Sequence, residues 1–221
     1  MNVSEAIRHR RTVRGFRQDP IPDEVLHEIL DAARFSPSNC NTQPWHLTVI
    51  SGDARDRLEH ALIAEITSGK SPAPAFQPGD AALQGVYKER QVECAMEYFS
   101  TMGIAREDRG ARNALSLKNW QFFGAPHVGI LSMPKCMGEV NAIDLGIYLQ
   151  SLMLLLVENG LASCPQGALA FYPDPIFEIA SLPEDHGIIC GISFGYEEKG
   201  ARINKARMPR APLEDTVKFV N

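Results

Sequence analysis

Four stretches of the chain concentrate side chains that can do chemistry. The first is Ile7 to Phe16, IRHRRTVRGF, with Arg8, Arg10, Arg11 and Arg14 close together. Gly15 follows at once, and Val13 and Phe16 call for burial, so the cations would be held against a partly buried surface. Uncompensated charge is costly there, and a phosphate would relieve it. Arginine suits that partner because its planar fork pairs two phosphate oxygens. The second is Ser36 to His46, SPSNCNTQPWH, where Ser38, Asn39, Asn41 and Gln43 can read the donor and acceptor edge of a planar heterocycle while Pro44 and Trp45 stiffen the loop. The third is Ala162 to Gly167, ASCPQG, in which Gly167 permits close backbone approach. The fourth is Arg202 to Arg210, RINKARMPR. Taken singly, each has a plainer reading: a solvated basic helix end, a capped loop around a packed tryptophan, a buried structural thiol at Cys164, a solvated basic face. Two basic clusters at opposite ends of one chain can nevertheless converge on one anion.

The chain-wide balance runs the other way. With 22 basic and 27 acidic residues among 221, the formal net charge is −5, the wrong sign for a nucleic-acid partner. The five cysteines are scattered without a C-x-x-C pair, which argues against a disulfide framework or a zinc knuckle and for a reducing, cytoplasmic setting. The six histidines show no metal-ligand spacing, so no metal is expected. No G-x-G-x-x-G, G-x-x-x-x-G-K-[ST] or G-x-S-x-G motif is present. The N-terminal residues lack the apolar run of a secretory signal. The apolar stretch Ile143 to Val157 contains Asp144 and Gln150 and is short for a bilayer span, so it reads as a buried core helix, and no membrane anchor is expected.

These stretches need elements to hold them. A short helix is expected over Val3 to Arg10, capped by Asn2 or Ser4, and an amphipathic one begins at Pro22 with Asp23 and Glu24 in its first turn and ends near Phe35. A strand at Leu47 to Ile50 leads into a helix over Ala54 to Thr67. Ser68 to Gly85 reads as an irregular excursion rich in proline and glycine, and Val86 to Phe123 as mostly helical. Then follow a strand at His127 to Met133, the core helix Asn141 to Asn159, a strand at Leu161 to Cys164, a short helix at Pro175 to Ser181, a buried strand at Gly187 to Phe194, and a polar tail from Lys199. Helices with a few strands between them make an α+β or α/β layered fold.

The four stretches in this order resemble the FMN-dependent nitroreductase family. The likeness rests on an R-R-[ST]-x-R segment, an S-P-S-x-x-N-x-Q-P-W loop, the F-G-A-P strand entry at Phe123 to Pro126, a D-x-G…Q-x-L-x-L helix, the P-Q-G turn and a basic tail. It implies one domain over residues 1–221 with a central mixed sheet flanked by helices, an intertwined homodimer, a variable helical excursion at 68–118 that shapes the substrate pocket, and a C-terminal arm at 199–221. It also implies site residues. Arg10, Arg11, Thr12 and Arg14 match those that hold the FMN phosphate and ribityl chain, and Lys205 and Arg207 the tail residues that close on the same phosphate. Pro37, Ser38, Asn39 and Asn41 resemble a loop contributed by the second subunit. Pro165, Gln166 and Gly167 match the turn whose backbone faces the flavin, with Gln166 where many relatives have Glu, and Asn119 is similar to an asparagine at the pyrimidine edge. The implied activity is ping-pong reduction of nitroaromatics or quinones with NADH or NADPH, the flavin itself supplying the chemistry without a catalytic side chain. The family's specialised members, with dehalogenase, flavin-cleaving or dehydrogenase activity, and a non-catalytic flavin-binding module are the alternatives.

Overall fold

The computed structural model describes residues 1–220 of the chain. Among them, seven α-helices and four strands follow in the order α1 (Val3–His9), α2 (Asp23–Ala33), β1 (His46–Ser51), α3 (Gly52–Thr67), α4 (Gly85–Met102), α5 (Arg109–Leu117), β2 (His127–Pro134), α6 (Glu139–Glu158), β3 (Ala162–Gln166), α7 (Pro173–Ala180) and β4 (His186–Gly195). The strands form one sheet in the order β1-β2-β4-β3. Every strand pair is antiparallel, where a mixed sheet is expected from the resemblance. The parallel contribution shrinks to one isolated bridge, Thr12 to Ser163.

β2 and β4 occupy the centre and are buried along almost their whole length. Such strands read as continuous apolar runs because both faces are covered. Leu131 and Met133 of β2 and Ile192 and Phe194 of β4 face α2 and α6, together with Ile29, Leu145, Leu152 and Leu156. Val128, Ile130 and Ile188 face the opposite layer, against Leu58 and Leu62 of α3 and Ile176 of α7. The period of two within β2 thus sends alternate residues into two separate cores.

Local chemistry sets the helix ends. Asn2 caps α1 by accepting from the Glu5 N–H at 2.9 Å while the Glu5 carboxylate accepts from the Asn2 N–H, a reciprocal capping box. The helix stops at His9, and Arg10 already has extended geometry with ψ 122°. α6 is longer than its apolar stretch implies. At 20 residues its length and composition would suffice to cross a membrane, yet it packs on α1, α2 and β3. It is also not covered all round: Val140, Ile143 and Ile147, spaced three and four apart, form an exposed apolar stripe. The region between 68 and 118 resolves into a proline-rich excursion, a 3-10 turn at Gly79–Ala82, then α4 and α5, with Gly103 in the left-handed conformation closing α4.

Candidate functional site

The arginine segment is an extended strap. After α1 ends, Thr12 bridges Ser163 on β3, the Val13 N–H donates to the Ser163 carbonyl at 3.0 Å, and Val13 and Phe16 are buried. The arginines therefore lie on extended chain, bridged to β3 at Thr12 and to Glu197 at Phe16, and Val13 and Phe16 are buried along it. The side chains take different partners. Arg11 pairs with Glu197 through Nη2, which donates to both carboxylate oxygens at 2.5 and 2.6 Å, while its Nη1 donates to the Asn204 carbonyl. Arg14 lies over the Tyr98 ring, 4.0 Å from its centroid, and its Nη1 is buried without a hydrogen-bond partner. Arg10 is partly desolvated, and burial together with the nearby Arg210 pulls its pKa below the ordinary guanidinium value.

The C-terminal arm meets this strap through one buried residue, Asn204. Its side-chain oxygen accepts from the Arg14 N–H at 2.8 Å, and its amide nitrogen donates to the carbonyls of Gly15 at 2.8 Å and Glu198 at 3.1 Å. Its own carbonyl accepts from Arg207 at 2.7 Å. A Cβ on Gly15 would sit 2.6 Å from the Ala201 side chain, so only glycine lets the arm approach this closely. Strap and arm together line a cavity of 460 Å³ with Arg8, Arg10, Arg11, Thr12, Arg207 and Arg210 in its wall and, among the described residues, no acidic one. Lys205, by contrast, is exposed and does not line it.

A neighbouring cavity of 210 Å³ has Arg14, Asn119, Tyr98, Phe99, Phe123 and Arg112 among its walls. Asn119 follows α5, and its side-chain amide donates to the Ser116 carbonyl at 2.9 Å. Its backbone carbonyl accepts from the amide of Gln166 at 2.6 Å. Gln166, buried at the end of β3, also accepts from the Ser193 hydroxyl on β4. Its side chain is thus a tie between the sheet and the turn after α5. Pro165 is half-buried, and Gly167 is exposed at the start of a 3-10 turn that Trp120 pins by donating to the Ala168 carbonyl. Burial pushes the Cys164 thiol up to about 12, against the opposing pull of Arg14, which leaves no thiolate nucleophile at neutral pH.

The loop carrying Pro37, Ser38, Asn39 and Asn41 sits elsewhere. The Asn39 N–H donates to the buried Asp144 carboxylate of α6 at 3.1 Å, and Trp45 stacks on Tyr148 of the same helix with centroids 5.1 Å apart. Cys40, Asn41 and Gln43 all have φ between 47° and 54°, left-handed values that cost energy for residues other than glycine. The Gln43 N–H donates to the Ser38 hydroxyl at 2.9 Å and holds the turn. No residue of this loop lines either cavity described above.

Strap and arm thus lie around one region, with Arg10, Arg11, Thr12 and Arg207 on one cavity and Arg14 and Asn119 on the next, while Pro165, Gln166 and Gly167 line neither and reach it through the Gln166 bond to Asn119. The sequence matches the Nitroreductase family over residues 7–196. The chain belongs to the nitroreductase family. Nitroreductase NfnB of Mycolicibacterium smegmatis is 39% identical over 213 residues, 96% of this chain and 90% of that protein. A 4-nitrobenzoate reductase of Pseudomonas putida is 35% identical over 96% of this chain and 92% of its own length. The crystal structure of the FMN-dependent NfnB from Mycobacterium smegmatis in complex with NADPH superposes with a TM-score of 0.95 at 38% identity, covering 100% of both chains. The nitroreductase fold is therefore common to both.

Several residues around these two cavities escape sequence reasoning. Asn204 lies inside the basic tail motif, and a lone amide among cations was the available signal. Glu197 neutralises Arg11, and nothing in the linear chain ties positions so far apart. Tyr98 and Arg112 come from α4 and α5, in the stretch whose motifs match least.

Proposed function

We propose that this nitroreductase is an FMN-dependent NAD(P)H oxidoreductase that reduces nitroaromatic compounds or quinones. The observation that carries the reading is the 460 Å³ cavity where arginines from both ends of the chain converge with no acidic residue in the lining among those described. Arg11 is neutralised by Glu197, which leaves Arg10 and Arg207 as free cations beside Arg8 and Arg210. Like charges held together and partly desolvated, as Arg10 is beside Arg210, fit a phosphate dianion. The unpartnered Nη1 of Arg14, together with Asn119, fits the polar edge of the flavin ring. When bound, FMN supplies reversible two-electron hydride chemistry between nicotinamide and acceptor. The chain's own work is to hold the phosphate with Arg10 and Arg207, to place positive charge from Arg14 at the ring edge, and to fix the turn at Gln166 and Gly167 through the bonds to Asn119 and Ser193.

The site is read here as shared between two copies of the chain. The loop with Pro37, Ser38, Asn39 and Asn41 is strained and rigidly seated on α6 but lines neither cavity of its own chain, so it meets a flavin only across a subunit interface. The exposed stripe Val140, Ile143 and Ile147 on α6, flanked by exposed Val3 and Ile7 of the packed α1, is the surface assigned to that interface. Five free thiols, with Cys40 and Cys136 exposed, favour a cytoplasmic setting.

The test compares Arg10→Ala with Arg34→Ala, whose guanidinium pairs with Asp31 on an exposed helix end. Losing a charge-assisted phosphate contact weakens FMN binding about ten- to hundredfold, measured by fluorescence titration of the stripped protein, while Arg34→Ala stays within about twofold, inside the usual range of exposed ion pairs. Equal FMN affinity in the two variants, or no FMN binding and no NAD(P)H oxidation by the parent protein, overturns the reading.

A further inference from the structure

Arg112 sits on α5 and has no role in the cofactor reading. It lines the 210 Å³ cavity that contains Arg14 and Asn119, and also a second cavity of 400 Å³ between α4 and α5 where neither of those residues reaches. Ala95 and Phe99 belong to both cavities, so the two form adjoining compartments with a common wall. The second compartment is walled by Val92, Met96, Phe99 and Ile104, with Arg106 and Arg112 as the charged lining residues among those described. Among the described residues, no carboxylate lines either compartment.

The Arg112 guanidinium stacks 4.9 Å from the Phe99 ring centroid and donates from Nη1 to the Arg106 carbonyl at 3.0 Å, but its Nε is buried with no hydrogen-bond partner. Arg14, in the same first compartment, likewise has a buried and unpartnered nitrogen. Leaving a buried donor of a charged group unpaired is unfavourable, and two such donors around one cavity call for an acceptor-rich ligand. If Arg14 is spent on the cofactor, Arg112 remains unassigned. Apolar and aromatic walls with a cation among them are the complement of an aromatic ring bearing an anionic group.

We propose that Arg112 is a specificity-determining residue that selects aromatic acceptors carrying a carboxylate. Its guanidinium binds the carboxylate while Phe99, Met96 and Ile104 pack against the ring. This rests on the nitroreductase reading of the neighbouring cavity. It adds no step to the reaction: it sets which acceptor is held.

The experiment uses the FMN-loaded protein and compares the parent with Arg112→Gln and Arg112→Lys. Steady-state reduction of 4-nitrobenzoate and of nitrobenzene is measured with NADPH, and calorimetric binding of benzoate and benzamide is measured without NADPH. Arg112→Gln lowers kcat/KM for 4-nitrobenzoate about ten- to hundredfold, the range of a lost charge-assisted bond, and leaves nitrobenzene within about threefold. Benzoate affinity falls in parallel, benzamide affinity does not, and Arg112→Lys recovers part of the loss. An equal fall for both acceptors, with unchanged benzoate affinity, means that Arg112 only braces α5 and overturns the proposal. So does an unchanged preference in Arg112→Gln. If the parent reduces neither acceptor, the nitroreductase reading fails, and the benzoate-against-benzamide comparison still decides the role of Arg112.

Discussion

Gln166→Glu changes one atom of a buried side chain and reverses its hydrogen bonding. In the parent, the Gln166 amide donates to the Asn119 carbonyl at 2.6 Å and accepts from the Ser193 hydroxyl. An ionised carboxylate would set an acceptor against the Asn119 carbonyl, whereas a protonated one keeps both bonds. At a position only 3% exposed, the protonated form prevails in the folded state, so the introduced carboxyl has its folded pKa raised. Its stability contribution is then fully present below the unfolded carboxyl pKa of about 4.3 and is lost as pH rises towards the folded pKa. Each pH unit above 4.3 costs about 1.36 kcal/mol, so the penalty is about 1 kcal/mol at pH 5 and about 3.7 kcal/mol at pH 7. Urea unfolding of parent and variant at both pH values, at one fixed FMN concentration, should show a destabilisation that grows by about 2.7 kcal/mol between pH 5 and pH 7. A penalty equal at the two pH values, or larger at pH 5, would refute the buried tie between β3, β4 and the turn after α5.

Three further outcomes follow from the same structure. Asn204→Ala removes the two side-chain bonds that join arm to strap, to Arg14 and Gly15, and a third to Glu198, and losing the first two should cost about 1–3 kcal/mol of arm docking; it is read as faster proteolysis of the arm and weaker FMN retention, and an arm as resistant as in the parent would contradict it. His127 accepts from the Ile21 N–H at Nε2 and contacts Ser51 at Nδ1 at 2.6 Å, so its neutral ring carries the proton on Nδ1. Burial lowers its pKa, and stability should therefore be full above the unfolded value of about 6.5 and fall as pH drops below it; His127→Gln should flatten that acid limb in denaturant titrations, and an unchanged slope would sink the assignment. Ile143→Asp puts a charge on the exposed α6 stripe and should convert a dimer to a monomer in light scattering, with loss of FMN. A parent protein that is monomeric while holding FMN tightly would end the shared-site reading.

The linear sequence is enough to locate α1, α2, α3, α6 and α7, since each carries its own periodicity and punctuation, whereas α4 and α5 read as one mostly helical stretch. Pro22, Asp23 and Glu24 open α2, and Asn2 with Glu5 caps α1, through contacts within a single turn. Motif order likewise made the family legible, because Arg10 to Arg14, the Ser36 to Trp45 loop and the P-Q-G turn are each local strings. What failed were statements that depend on distant partners. The chain beyond Arg10 carries no element signal of its own, and its pairing of Thr12 with Ser163 on β3 lies beyond any local signal. The sheet direction depended on how β1, β2 and β4 return, which alternation of side chains does not encode.

Sequence by itself determined the types of the functional groups: arginines in excess at both ends of an acidic chain, an amide-rich loop, and a buried turn without a nucleophile. Tertiary structure decided which of them share a cavity. It took Arg11 out of the free cations by pairing it with Glu197, left Lys205 outside, brought Arg207 and Arg210 to Arg10 through Asn204, and set Arg112 beside Phe99. Charge and hydrogen bonding act over a few ångströms of space, whatever the separation along the chain. Residue types therefore fix what chemistry is available, and only the folded geometry fixes which charges remain uncompensated and so what they can bind.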